Sequence, residues 1–129
     1  MVISTEHLLD HARALLGEFR LSNDDCSAGS VAAAIRSASG KIYTGICVDL
    51  PSGIGFCAEH AAVAEMLKAR ETEVESVVAV SEGGVLPPCG RCRELLALLD
   101  PRNFDATVFV SSERTAKLRE LLPQHWLAQ

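Results

Sequence analysis

Twice in this chain an apolar run of strand length leads through a loop of glycine and proline into a helix that opens with cysteine. The first passage runs from Ile42–Val48 through Pro51, Gly53 and Gly55 to Cys57. The second runs from Val74–Val80 through Gly83, Gly84, Pro87 and Pro88 to Cys89. A strand that feeds a helix through a short loop is the building unit of a layered α/β sheet. Two such units place two helix N-termini near each other, and the cysteines with them. No internal repeat of fixed period accompanies this echo.

The other elements fit around it. Leu8, Leu9, Ala12, Leu15, Leu16 and Phe19 recur at spacings of three and four, which predicts an opening helix over residues 5–19 with Ser4 or Thr5 as its cap. Val31–Ile35 and Ile42–Val48 flank the turn-forming Ser37-Ala38-Ser39-Gly40 and are expected to form an antiparallel hairpin. Helices are expected over residues 57–70 and 89–99, the second stopped by Asp100-Pro101. A short strand over 106–110 and a helix over 115–122, ended by Pro123, complete the order α-β-β-α-β-α-β-α. Strands alternating with helices after a hairpin predict a mixed sheet with helices on both faces, a three-layer α/β/α arrangement.

With 129 residues, the chain is expected to form a single domain over 1–129. Its formal net charge of −5 shows no basic stripe, which argues against nucleic acid as partner and for a small molecule. No apolar run is long enough to span a bilayer, so no membrane partner is expected. The first ten residues, with Glu6 and Asp10, lack a secretory pattern, and a cytoplasmic location is expected. In that reducing setting the five cysteines are expected as thiols or metal ligands, not as a disulfide framework.

The chemistry concentrates in Cys57-Ala58-Glu59 and Pro88-Cys89-Gly90-Arg91-Cys92. A catalytic zinc site takes three protein ligands and keeps a fourth position open. Helix N-termini favour thiolates, because free N–H groups and the helix dipole stabilise negative charge. Three thiolates around one zinc ion still leave a negative site, and Arg91, Arg93 or His60 are candidates to offset it. Glu59, two residues beyond Cys57, is placed to take a proton from water and deliver it to a ring nitrogen and a leaving amine. Cys-x-Glu followed by Pro-Cys-x-x-Cys is the signature of zinc deaminases, with cysteine in the first ligand place. A redox dithiol at Cys89 and Cys92 would leave Cys57 and Glu59 without a role. A three-cysteine structural zinc site with a solvated Glu59 is the simplest competitor. His7 and His11, at i and i+4 with no third partner, read as a solvated face.

These residues resemble the cytidine deaminase family, over roughly residues 31–126. The resemblance implies zinc held by Cys57, Cys89 and Cys92, with Glu59 as proton shuttle. It also implies a mixed five-stranded sheet between helices, the fifth strand falling in or after residues 111–114, and a homotetramer with active sites at subunit interfaces. Trp126 corresponds to a C-terminal aromatic that closes over the base from a neighbouring subunit. Family members carry Asn-x-Glu about ten residues before Cys-Ala-Glu, as the pair that holds the ribose hydroxyls. Here Ile46 and Val48 stand at those places, and Asp49, one position on, is the candidate substitute. The phenylalanine expected before the first strand is replaced by Gly29 or Ser30. Ser30, Asp49, Ala58 and Trp126 are the candidate substrate-binding residues, with Ser27 as a further pocket candidate.

Within the family the chain resembles the blasticidin S deaminase branch. The shared residues are Ile42-Tyr43-Thr44-Gly45, Pro88 to Arg93, and Glu120-Leu121-Leu122-Pro123 followed by Trp126. That resemblance implies a cytosine nucleoside substrate, cytidine or deoxycytidine or a nucleoside antibiotic with a modified sugar and a basic tail. Deamination of another amino-substituted base, action on a nucleic-acid strand, and a non-catalytic zinc protein are the competing readings.

Overall fold

A computed structural model describes residues 5–128. Helix α1 (Thr5–Arg13) precedes β1 (Phe19–Arg20), β2 (Ser27–Ser37) and β3 (Ile42–Asp49). Then come α2 (Ala58–Lys68), β4 (Val74–Ser81), β5 (Gly84–Leu86), α3 (Gly90–Leu99), β6 (Thr107–Phe109), β7 (Thr115–Lys117) and the single-turn α4 (Leu118–Leu121). The expected cap at Ser4 lies outside the described residues.

Strands β3, β2, β4, β6 and β7 lie side by side in that order. The β4–β6 pair is parallel and the other three are antiparallel, so the sheet is mixed as expected. Among the described residues the sheet has seven strands, not five. The two additions are short: β1 pairs with the start of β2, and β5 folds back on the end of β4. Two or three residues show no alternation from which a strand can be read. The fifth strand of the core, β7, falls just after residues 111–114 as anticipated. It takes up the first three residues of the segment expected to be helical, because pairing with β6 outweighs the weak helix preference of so short a run. At the other end α1 stops at Arg13. The chain turns through Gly17, whose N–H donates to Gly29 O, and Phe19 joins the sheet.

Strand alternation divides the core. Ala32, Ala34, Val78 and Val80 face Leu8, Leu9 and Ala12 of α1. Ile35, Val77 and Val108 face Ala62, Val63 and Met66 of α2 and Leu96 and Ala97 of α3. A smaller cluster of Ala33, Ala79, Cys47 and Ala58 sits under the start of α2. Glycine at position 45 brings α2 down onto β3. A Cβ there would stand 2.5 Å from Ala61 Cβ and from the Ala62 nitrogen, closer than atoms can pack. That approach fixes the height of the α2 N-terminus, where the chemistry lies.

Candidate active site

Cys57 and Cys89 are the N-cap residues of α2 and α3, both with extended backbone. Cys92 lies in the first turn of α3 and is buried. The Sγ atoms of Cys57 and Cys89 are 3.4 Å apart, as are those of Cys89 and Cys92. All three lie within 4.8 Å of one another. A tetrahedral zinc ion with Zn–S bonds of about 2.3 Å sets its sulfurs about 3.8 Å apart. The three cysteines match that spacing, and zinc is the cofactor they hold.

The electrostatics favour the same conclusion. Burial pushes the Cys57 thiol up, and its hydrogen bond with Cys89 adds to this. Burial, then the Glu59 carboxylate, pushes the Cys92 thiol far up. At Cys89 burial also works upward, but hydrogen bonds from the Cys92 backbone and the Cys57 side chain outweigh it, and its thiol titrates lower than usual. One sulfur of the three is disposed to ionise alone; all three together require a cation. His60 Nδ1 lies 3.5 Å from Cys92 Sγ, and burial, then the Arg91 charge, lowers the ring's pKa below the usual histidine value. Arg93 is used differently: its Nε and Nη1 donate to Pro88 O and Leu121 O, at 2.8 and 3.0 Å. It braces the loop entering Cys89 against α4.

Glu59 is only 5% exposed. It lines a cavity of about 650 Å³ together with Cys57, Cys89, Ala58 and Arg91. Burial raises its carboxyl above the ordinary glutamate value, against the lowering effect of its own backbone N–H and Cys92. A carboxyl raised in this way is a stronger base toward a neighbouring proton donor than an ordinary glutamate.

The opposite wall of interest is built by the ends of β2 and β3. Ser30, Cys47 and Asp49 all line the cavity. Ile46 does not; it packs with the α1-side cluster. Val48 is held by its backbone, which exchanges hydrogen bonds with Phe56. Alternation along β3 therefore turns Cys47 and Asp49 toward the substrate space beside Ser30 and Ile46 away from it, while Val48 also borders the cavity. Asp49 and Ser30, the candidates named from the sequence, both border this cavity, and Cys47 lies beside them. The one signal available for Cys47 was its period-two relation to Asp49. Asp25 also reaches the wall. Ser27 does not; its hydroxyl donates to Glu18 at 3.4 Å. Trp126 is 60% exposed and lies against α3, its Nε1 donating to Glu94 Oε1 at 3.3 Å, outside its own chain's cavity.

The family profile described as "Cytidine and deoxycytidylate deaminase zinc-binding region" matches residues 5–108. Among solved structures the chain is similar to cytidine deaminase from Mycobacterium tuberculosis, at 26% identity and a TM-score of 0.80, over 97% of this chain and 98% of that one. It is also similar to the cytidine deaminase from Bacillus anthracis, at 26% identity and a TM-score of 0.72, over 95% and 89%. Fold, cysteine triad and buried glutamate thus converge, and the chain belongs to the cytidine and deoxycytidylate deaminase zinc-binding family.

Proposed function

We propose that this protein hydrolytically deaminates the cytosine ring of a free nucleoside, leaving a carbonyl and releasing ammonia. The observation that carries the proposal is Glu59, buried beside three convergent sulfurs in the wall of a cavity large enough for a nucleoside. When bound by Cys57, Cys89 and Cys92, zinc supplies Lewis acidity toward water. Glu59 accepts the proton that water gives up as its oxygen attacks the ring carbon bearing the amine. It passes that proton to the adjacent ring nitrogen, then takes the proton of the newly attached hydroxyl and delivers it to the amine, so that the carbonyl forms as the carbon–nitrogen bond breaks and ammonia leaves. Burial of the carboxylate excludes bulk water from these transfers.

A free nucleoside is favoured over a nucleotide. Asp25 and Asp49 line the cavity, and Arg91, adjacent to the cysteines, is its sole basic lining residue among the described residues. A phosphate meeting two carboxylates is repelled. The same carboxylates favour a nucleoside with a cationic tail, the blasticidin S type, as the second reading. Ammonia release from deoxycytidine and deoxycytidylate, measured side by side, tests the choice. The nucleoside should show at least about tenfold higher kcat/KM; equal or reversed values would refute it. Trp126 suits closure of a neighbouring subunit's cavity in a homotetramer, because its indole is exposed and does not serve its own chain's cavity. A monomer in sedimentation would contradict that assembly.

A further inference from the structure

The register of β2 against β3 breaks between Ala28, opposite Val48, and Ala32, opposite Ile46. Gly29, Ser30 and Val31 thus stand opposite the single residue Cys47. Such a bulge re-aims side chains and leaves part of the ladder unmade. Here the sulfur of Cys47 fills the gap. Val31 N–H donates to Cys47 Sγ at 3.3 Å. Cys47 Sγ and Ser30 Oγ are 3.2 Å apart, Ser30 Oγ donates to Asp49 Oδ2 at 3.2 Å, and Cys47 Sγ itself lies 3.7 Å from that Oδ2. A consistent proton arrangement runs from backbone N–H to sulfur, from S–H to the serine hydroxyl and the carboxylate, and from O–H to the carboxylate. Cys47 is 5% exposed, so this chain of bonds starts from a fixed point in the fold. It ends on a carboxylate whose Oδ1 takes no part in it.

We propose that Cys47 is a positioning residue for substrate selection: through Ser30 and through its own contact with the same oxygen it fixes the Asp49 carboxylate to accept hydrogen bonds from donor groups, hydroxyl or ammonium, on the non-reacting part of the substrate. This rests on the reading that the cavity takes a pyrimidine nucleoside, and it deepens that reading by assigning the selecting group. A carboxylate held by one oxygen presents the other in a set direction, so less order is lost when the ligand binds. A thiol suits the bulge, since sulfur accepts the stray N–H while its weak S–H donor reaches the serine.

The test is equilibrium binding to the zinc-loaded protein by calorimetry, with deaminated ligands that do not turn over. These are uracil, uridine and 5′-amino-5′-deoxyuridine. In the unmodified protein uridine, the amino analogue or both should bind more tightly than uracil, and which one does so identifies the donor. Cys47→Ala should weaken that ligand about five- to tenfold, one modest hydrogen bond's worth, and leave uracil unchanged. Cys47→Ser should recover most of the loss, and Ser30→Ala should reproduce at least part of it. Loss of uracil binding to the same degree, no loss in Cys47→Ala, or no preference over uracil in the unmodified protein would each overturn the proposal. Ammonia release from cytidine by the unmodified protein, measured in parallel, reports separately on the deaminase reading.

Discussion

Beyond the C-terminal end of α3, Asn103 is fully buried and uses its whole amide: Nδ2 donates to Thr72 O and Leu96 O, and Oδ1 accepts from Val74 N. Beside it Asp100 accepts from the Arg102 backbone and guanidinium and from the Thr72 hydroxyl. At the N-terminal end, about 15 Å away along a ten-residue helix, three thiols crowd one another and Glu59 has no paired cation among the described residues. Both regions bury polar groups, which is costly unless they find partners. One is complete as the chain folds and ties α3 to the start of β4. The other is completed by a metal ion and a substrate, and its unmet demands are its function. A polar cluster whose partners are all present stabilises; one whose partners are missing binds.

Four perturbations test that contrast. The largest effect should follow Glu59→Gln, which removes the proton carrier and leaves the cysteines alone. Turnover should fall by about 10²–10⁴, with one zinc per chain retained by metal analysis. Next is removal of zinc with a chelator. The thiol end should lose its partner and the melting temperature should fall by about 10 °C, returning when zinc is added. A melting curve indifferent to zinc would dissolve the contrast.

Asn103→Ala strikes the self-satisfied end. It strands the Val74 N–H and two carbonyls, and should cost about 2–4 kcal/mol in urea denaturation, with zinc stoichiometry unaltered in the folded protein. The smallest effect concerns Asp100, whose carboxyl Arg102 holds well below the usual aspartate range. A depressed folded value means stabilisation that is present above the ordinary aspartate pKa of about 3.9. It is lost as pH falls from there through the folded value. Thermal melts on acidification should therefore decline less steeply in Asp100→Asn.

The reading of the chain from its sequence divides along physical lines. Cys57, Glu59, Cys89 and Cys92 were recognisable because each pair is set by local helix geometry within three residues. Helices α2 and α3 and the three long strands carried their own periodicity. What escaped depends on contacts distant in sequence. Strand β1 exists only as a partner of β2, and β7 takes a segment that by itself reads as helix. The wall formed by Ser30, Cys47 and Asp49 rests on a bulge in strand pairing, which leaves no trace in either strand alone. Counting back from Cys57 put Ile46 and Val48 at the places of the family's pair and named Asp49 as the substitute; the cavity wall takes in Cys47, Val48 and Asp49.

The central claim is that the cysteine end of α3 is a deaminating zinc site served by Glu59. It is tested most directly by ammonia release from cytidine and deoxycytidine, using protein shown to hold one zinc per chain, with Glu59→Gln in parallel. The account predicts ammonia from the unmodified protein and, at equal zinc content, a loss of about two orders of magnitude or more in the variant. No ammonia from either nucleoside by zinc-loaded protein, or equal rates in the two proteins, would contradict it.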